Sequence, residues 1–261
     1  MPKAKEYPGR LVTNIRFGNR RMHKIAKYRK NHMELGIYSD AFDEFAKLLV
    51  RRIKRNQQNV VMVEGSTGAG KSTFAILLCY EMAKRLKVKF NLQEDYIYTM
   101  EDLLRKIKNP NASPINLIDE AVLVMNAKGS MTKQNRDMVD IFNTMRSLGW
   151  TTVLVAPSIF QIDKTMRLMH IDYKVHCSSE DDNIIRGYGR GFFEVSKPKR
   201  YEYSKDAEPY WVLQVTGVFG KLPPRIDAEY QPIKLKAQRK LIDAIAKRHK
   251  VDEDEAGEVT A

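Results

Sequence analysis

The sequence predicts an α/β fold in which a mainly parallel β-sheet is flanked by helices on both faces. Short apolar stretches rich in Val and Ile alternate with helical patterns, an order typical of parallel sheets with helical crossovers. A glycine-rich loop, residues 65–72, joins one of these strands to the helix that follows it. Two carboxylates, Asp119 and Glu120, directly follow a second apolar strand. Because ligands of such sheets bind at the carboxyl ends of the strands, we expect the functional site there.

The glycine-rich loop fits the pattern G-x-x-x-x-G-K-[ST], which binds nucleotide phosphates where it joins a strand to a helix. The apolar run at 60–64 predicts the strand, and the apolar spacing over 73–85 predicts the helix. Gly65 and Gly70 allow backbone angles that side chains disfavour, so the loop can wrap around a phosphate. Its N–H groups and the positive end of the helix then bind the anion. The predicted nucleotide-binding residues are Gly65, Ser66, Thr67, Gly68, Ala69, Gly70, Lys71, Ser72 and Thr73.

The residue types of this loop predict ATP and Mg²⁺ as its ligands. Lys71 is expected to reach the β- and γ-phosphates, and Ser72 to place its hydroxyl on the metal. Asp119 is predicted to hold Mg²⁺ and Glu120 to polarise the attacking water, because adjacent side chains at a strand end point in different directions. The alternative is a strand-end pair of acids without a catalytic role, but this pair follows a phosphate-binding pattern in the same chain.

The other predicted elements follow from hydrophobic spacing. Amphipathic spacing and start signals predict helices over residues 40–57, 99–107, 134–148 and 164–169. Apolar runs predict strands over residues 87–98, 115–118, 151–156 and 171–177. Aromatic and glycine-rich segments at 184–195 and 210–219 predict antiparallel strands added to the sheet edge. Pro223 and Pro224 predict a linker, and residues 233–250 a basic helix.

Positive charge is concentrated at the beginning of the chain, whose formal net charge is +13. Residues 1–38 contain ten Lys and Arg against two Glu, and they predict a basic arm, in part helical near Arg20–Lys30. The last eleven residues carry five acids and no base. An excess of this kind favours a polyanionic partner such as nucleic acid, although it also serves solubility.

The predicted organisation has four parts. These are a basic arm at 1–38, a P-loop domain at 39–222, a linker with a basic helix at 223–250 and an acidic tail at 251–261. Cys79 and Cys177 have no metal-ligand spacing, so we interpret both as free thiols of a reducing cytosol. No apolar run approaches the ~20 residues needed to span a bilayer, and we therefore expect a cytoplasmic protein without a membrane span.

Several polar residues near the predicted site allow two interpretations each. Arg136 and Arg146 lie off the apolar stripe of the 134–148 helix, and Arg146 is the candidate for an arginine that reaches a nucleotide in a neighbouring subunit. The alternative for each is a solvated or salt-bridged side chain. Ser158 and Gln161 follow the strand beside the Asp119 strand and are candidates for sensing the γ-phosphate. Either residue fits equally well as the cap of a turn.

The order of these landmarks resembles the additional-strand class of RecA-like ATPases. More narrowly, residues 58–178 resemble the FtsK–HerA superfamily of DNA-pumping ATPases, which includes virus packaging ATPases and zonula-occludens-toxin-like phage proteins. The landmarks are Gly65–Ser72, Ile118–Ala121, Arg146, Val155–Ser158, Asp163 and Arg167. By resemblance, Lys71 and Ser72 match the phosphate lysine and the metal hydroxyl, and Asp119 and Glu120 the metal carboxylate and the catalytic base. The chain differs in having Pro157-Ser158 where the superfamily often has a glutamine.

The resemblance implies an ATP-hydrolysing motor that translocates or packages DNA for a virus or a mobile element. It also implies DNA as the partner, with the double-stranded form favoured, a homo-oligomeric ring that is commonly a hexamer, and the host cytoplasm as the location if the protein is viral. Two alternatives remain open. One is an ATPase for virion assembly or export that acts on protein, and the other is a nucleotide-gated module that binds nucleic acid. Glu120 argues against the second, because a pure switch does not need that base.

Overall fold

The computed structural model describes residues 10–17, 20–27, 40–109, 111–119, 121, 133–179, 191–199 and 209–249. The strands in these ranges are β1 (Arg10–Phe17), β2 (Arg20–Lys27), β3 (Asn59–Glu64), β4 (Tyr96–Ile97), β5 (Ile115–Ile118), β6 (Thr151–Val155), β7 (Tyr173–Ser178), β8 (Gly191–Lys199) and β9 (Tyr210–Phe219). The helices are α1 (Asp40–Ile53), α2 (Lys71–Leu86), α3 (Leu92–Asp95), α4 (Met100–Ile107), α5 (Lys133–Ser147), α6 (Lys164–Met169) and α7 (Pro224–His249). A 3₁₀ turn covers Ile159–Gln161.

Seven strands form one sheet in the order β4–β5–β6–β3–β7–β8–β9. The first five strands in this order run parallel to one another. The last two are antiparallel additions, since β8 pairs antiparallel with β7 and β9 pairs antiparallel with β8. The predicted fold class, a mainly parallel sheet with antiparallel strands added towards the C-terminus, is therefore confirmed. β6 lies between β3 and β5, so one strand separates the glycine-rich loop from the strand that leads to Asp119. This inserted strand defines the additional-strand arrangement.

Both faces of the sheet are covered by helices. On one face, Met62 and Leu154 pack in a buried cluster with Phe142 of α5 and Leu103 of α4. On the other face, three aromatic rings pack around Phe74 of α2. The ring centroids lie 5.3 Å from Phe74 for Phe42, 5.0 Å for Phe193 and 5.4 Å for Phe219. β3 and β6 lie in the middle of these layers and are apolar on both sides, as expected for central parallel strands.

Three predicted elements differ from the structure in the first half of the chain. The strand predicted over 87–98 is reduced to Tyr96–Ile97, because Asn91 caps a short helix by accepting the Gln93 N–H at 2.9 Å. Residues 20–27, predicted as partly helical, form a strand paired antiparallel with β1. The helix predicted over 40–57 ends at Ile53, and Asn56 then takes a positive φ of 54°.

The chain divides into two compact units, residues 1–223 and 224–261. The described part of the second unit is α7, which begins at Pro224 rather than at the predicted Ile233. Proline suits the first position of a helix, so Pro224 begins α7 instead of interrupting the chain. Residues 120, 126–132 and 184–190 and the acidic tail lie outside the described residues. Within the described ranges, no helix is long and apolar enough to cross a bilayer.

Candidate nucleotide-binding site

The glycine-rich loop turns from β3 to α2 at the carboxyl end of the sheet. Gly65, Gly68 and Gly70 all have positive φ angles, of 146°, 83° and 83°. Gly65 also approaches β7 so closely that a Cβ there would lie 2.2 Å from the carbonyl oxygen of Cys177. Glycine is therefore needed at Gly65 both for its backbone angle and for the space.

The loop presents backbone donors and a lysine at the beginning of α2. The N-cap of α2 is Gly70, which has no side chain to cap the first N–H groups. Such a helix end carries partial positive charge and binds anions through those groups. The Ala69 N–H donates to the Ser66 oxygen at 3.2 Å and closes the loop. Lys71 Nζ donates to the same carbonyl at 2.8 Å, which places its ammonium over the loop.

The two residues predicted to hold the metal meet in the structure. Ser72 Oγ donates to Asp119 Oδ1 at 3.2 Å, across the gap between α2 and the end of β5. Asp119 is buried, with 4% of its surface exposed. Its other oxygen, Oδ2, accepts a hydrogen bond from the Tyr96 hydroxyl at 3.1 Å. Sequence reasoning missed Tyr96, whose position near the end of the predicted 87–98 strand was the available signal.

The donor set of Ser72 and Asp119 fits Mg²⁺. Both residues supply oxygen, the ligand that hard cations prefer, and Mg²⁺ commonly takes one or two protein oxygens together with water and phosphate. Among the described side chains, no group of three or more His, Cys, Asp or Glu comes together as a metal cage. A metal at this pair would thus be shared with the phosphates of a nucleotide.

The other predicted site residues lie at different places. Glu120 is outside the described residues, so its geometry is not described. Arg146 is exposed in the last turn of α5, which leads through Gly149 to the beginning of β6. Gly149 packs against Asn56, just before β3. Arg146 therefore lies at the amino edge of the sheet, opposite the loop of its own chain, and its predicted contact with a neighbouring subunit stays a prediction.

The segment after β6 runs beside the loop. The Ala156 N–H donates to the Val63 oxygen at 3.0 Å, and the Gly65 N–H donates to the Pro157 oxygen at 3.3 Å. Ser158 Oγ accepts the Phe160 N–H at 3.3 Å, which is the capping geometry that the sequence left open as an alternative. Gln161 is exposed.

A carboxylate and a thiol that sequence reasoning did not single out for the site also lie beside the loop. Glu64 is the last residue of β3, and its Oε2 accepts the Ile159 N–H at 2.8 Å. Cys177 lies behind the loop on β7, and burial raises the pKa of its thiol although the Lys71 ammonium opposes this. The thiol therefore stays protonated and serves as packing.

The model of the family described as "Zonular occludens toxin (Zot)" matches residues 79–226, more than half of the 261 residues. The chain belongs to this Zot family. The matched range begins within α2 and includes β4 to β9, so it contains Tyr96 and Asp119. The glycine-rich loop precedes that range. The resemblance to Zot-like proteins of the additional-strand class is thereby confirmed. No curated protein sequence matches the chain.

Three solved structures are similar to this Zot-family chain at low TM-scores. The N-terminal domain of zonular occludens toxin from Neisseria meningitidis is 15% identical, with a TM-score of 0.38, over 60% of this chain and 93% of that one. A chain of the HORMA:CdnC:Trip13 complex from E. coli MS115-1 is 13% identical, with a TM-score of 0.40, over 55% and 63%. The genome packaging NTPase B204 of Sulfolobus turreted icosahedral virus 2, solved with ATP-gammaS, is 13% identical, with a TM-score of 0.36, over 53% and 91%.

Proposed function

We propose that this Zot-family chain is a Mg²⁺-dependent ATPase that moves or packages DNA for a virus or a mobile element. The observation that carries the proposal is the hydrogen bond between Ser72 and Asp119 at the beginning of the P-loop helix. It joins the predicted metal hydroxyl and metal carboxylate directly beside a loop whose backbone suits a phosphate. A glycine-rich turn without a nucleotide would not need this pair.

In the proposed reaction, the chain binds ATP and orients a water molecule. The loop N–H groups and the Lys71 ammonium hold the β- and γ-phosphates, and Lys71 exchanges the Ser66 carbonyl for a phosphate oxygen. Ser72 and Asp119 would hold Mg²⁺, which would neutralise part of the charge on the phosphates. Glu120 orients the attacking water and accepts its proton.

The proposed DNA partner rests on charge. The chain carries a formal net charge of +13, and its first 38 residues hold ten Lys and Arg. In the described part, Lys197 and Lys199 are exposed on β8, and Lys199 Nζ lies 5.6 Å from the centre of the Tyr210 ring. Lysines contact phosphates and aromatic rings stack on bases, so this edge of the sheet is a candidate contact for a strand of DNA.

The first test measures steady-state ATP hydrolysis with and without double-stranded DNA at two salt concentrations. Stimulation by DNA that falls as salt rises is expected, because phosphate contacts release counterions. Hydrolysis without any response to DNA would instead favour the protein-directed assembly or export ATPase. Absence of hydrolysis would favour the nucleotide-gated module that binds nucleic acid.

A variant of the phosphate lysine tests the site itself. Lys71→Ala should lower hydrolysis at least about 100-fold, since it removes a charge that is needed where negative charge develops. Lys84→Ala, an exposed lysine on the same helix, is the matched control and should stay close to the wild type. Undiminished hydrolysis in Lys71→Ala would contradict the assignment of this loop as the nucleotide-binding site.

A further inference from the structure

Glu64 connects three parts of the molecule beside the candidate site. It is the last residue of β3, directly before the glycine-rich loop, and its side chain is 12% exposed. Its Oε2 accepts the backbone N–H of Ile159 at 2.8 Å. Its Oε1 lies 3.5 Å from Lys174 Nζ and 3.8 Å from His176 Nδ1. One side chain therefore joins the end of the P-loop strand to the turn after β6 and to β7.

The bond to Ile159 comes at the beginning of the 3₁₀ turn, where N–H groups lack acceptors within the turn. Ser158 satisfies the next two donors: its Oγ accepts the Phe160 N–H at 3.3 Å and its carbonyl accepts the Gln161 N–H at 3.1 Å. Glu64 accepts the donor that precedes these two, the N–H of Ile159. Since a buried N–H without an acceptor is costly and Ile159 is buried, this hydrogen bond fixes the turn to β3.

The position of this turn matters for the phosphates. The residues just before it are bonded to Val63 and Gly65, at 3.0 and 3.3 Å, so the turn begins where the loop begins. It contains Ser158 and Gln161, the two candidates for sensing the γ-phosphate. A displacement of the turn would move both of them relative to a bound nucleotide.

We propose that Glu64 is a positioning residue that holds the turn at 158–161 at a fixed position relative to the γ-phosphate of a bound nucleotide. The hydrogen bond to Ile159 carries this role rather than the negative charge. The distances support that division, because Glu64 Oε2 lies 2.8 Å from the Ile159 nitrogen, whereas Oε1 lies 3.5 Å from Lys174 Nζ and 3.8 Å from His176 Nδ1. The inference rests on the proposed function, since it requires a nucleotide in the loop.

The test compares three substitutions of Glu64 in the full chain. Glu64→Gln keeps an oxygen that can accept the Ile159 N–H but removes the charge. Glu64→Asp keeps the charge but is one methylene shorter, so it cannot reach Ile159 from the same backbone. Glu64→Ala removes both. Glu44→Ala, which removes an α1 carboxylate paired with Lys47 at 3.0 Å, is the matched control. The probes are ATPγS and ADP, which differ in the γ-phosphate group, and thermal midpoints are measured alongside.

We expect Glu64→Asp and Glu64→Ala to lose affinity for ATPγS on the order of ten-fold, the size of the penalty for a buried N–H left without its acceptor. Affinity for ADP should stay the same, and Glu64→Gln should remain within about three-fold of the wild type for both nucleotides. The isosteric Gln variant and the shorter Asp variant keep the comparison valid if Glu64→Ala does not fold.

Two results would overturn the positioning role. One is a loss of ATPγS affinity in Glu64→Gln together with wild-type affinity in Glu64→Asp. The negative charge of residue 64, and not the length of its side chain, would then determine the affinity. The other is an equal or absent effect on ATPγS and ADP in Glu64→Asp, because the turn would then not act through the γ-phosphate. A wild-type chain that binds neither nucleotide would contradict the proposed function itself, and the positioning role with it.

Discussion

At the scale of single residues, the buried carboxylate of Asp119 is held between two hydroxyl groups. Ser72 donates to one oxygen and Tyr96 to the other, at 3.2 and 3.1 Å. Burying a charged carboxylate is costly unless it is hydrogen-bonded or coordinates a metal, and these two donors offset part of that cost. They also fix the rotamer of Asp119, so its oxygen faces Ser72 before any metal binds.

Tyr96→Phe tests whether this orientation matters. The substitution removes the hydroxyl and little else, so the fold should persist while Asp119 gains rotational freedom. We expect the Mg²⁺ concentration for half-maximal hydrolysis to rise about ten-fold, as for other residues that orient a metal ligand. Titration of Mg²⁺ at saturating ATP measures it. Tyr80→Phe, whose ring packs on Phe90 instead, is the control. An unchanged Mg²⁺ dependence would contradict an orienting role of the Tyr96 hydroxyl.

Glu120→Gln separates binding from turnover. Because the proposed role of Glu120 is to accept a proton from water, the amide should leave the ATP dissociation constant unchanged and lower kcat at least about 100-fold. Equilibrium binding and steady-state hydrolysis measure the two quantities. Glu101→Gln, on the exposed side of α4, should change neither. Normal turnover in Glu120→Gln would remove this residue from the mechanism.

At the scale of elements, the P-loop is packed against the neighbouring strand as well as against α2. Gly65 leaves no room for a Cβ beside Cys177, whereas a Cβ on Gly68 would meet no heavy atom within 4 Å. Both glycines have positive φ, so both substitutions carry backbone strain. The two positions therefore differ in packing while sharing the strain.

Substitution of the two glycines separates these contributions. Gly68→Ala should lower the free energy of unfolding by about 1–2 kcal/mol, the cost of a left-handed backbone for a side chain. Gly65→Ala should lower it by about 2–4 kcal/mol, because the collision with β7 is added. Denaturant unfolding measures both. Equal losses of unfolding free energy in the two variants would mean that β7 moves away from residue 65 at Cys177 without an energetic cost.

A buried ion pair holds the edge of the sheet that carries Tyr96. Asp95, the residue before Tyr96, lies 2.7 Å from Lys106 Nζ, and both side chains are about 95% buried. Lys106 also donates to the Ile115 oxygen at the beginning of β5. Burial lowers the pKa of Lys106, and the Asp95 carboxylate opposes that shift. The pair thus links α3, α4 and β5, and it keeps β4 beside the strand that ends at Asp119.

At the scale of the whole molecule, the position of Arg146 bears on assembly. It lies at the amino edge of the sheet, whereas the P-loop lies at the carboxyl edge of the same chain. An arginine placed there can contact a nucleotide only in another copy. That Arg146 acts on a nucleotide of a neighbouring chain stays a prediction.

A mixing experiment tests whether Arg146 acts on the nucleotide of a neighbouring chain. Lys71→Ala chains lack a working P-loop but keep Arg146, and Arg146→Ala chains have the opposite defect. If Arg146 acts on a neighbour, an equimolar mixture should hydrolyse ATP at least about ten-fold faster than either variant alone. Steady-state hydrolysis after subunit exchange measures it, with Arg105→Ala, exposed on α4, as the control in place of Arg146→Ala. Absence of recovery, with mixed oligomers demonstrated, would contradict a role in trans.

Local patterns in the sequence determined the core of the fold and the residue types of the site. The strand at 59–64, the glycine-rich loop and α2 were predictable because their signals are local: a β-branched run, positive-φ glycines and amphipathic spacing. The predicted helix at 99–107 has a capping box of Thr99 and Asp102, which also depends on neighbouring residues alone. The class of additional-strand proteins likewise followed from the order of such landmarks.

Tertiary structure alone decided several contacts that the sequence did not predict. The bond between Ile159 and Glu64 joins residues 95 positions apart, and Pro157 accepts the N–H of Gly65 at the beginning of the loop. Such pairs depend on β6 entering the sheet beside β3, which no local pattern encodes. The same holds for residues 20–27, where strand pairing overrides a weak helical pattern. Short-range chemistry could be predicted from the sequence, and the long-range contacts of Tyr96 and Glu64 could not.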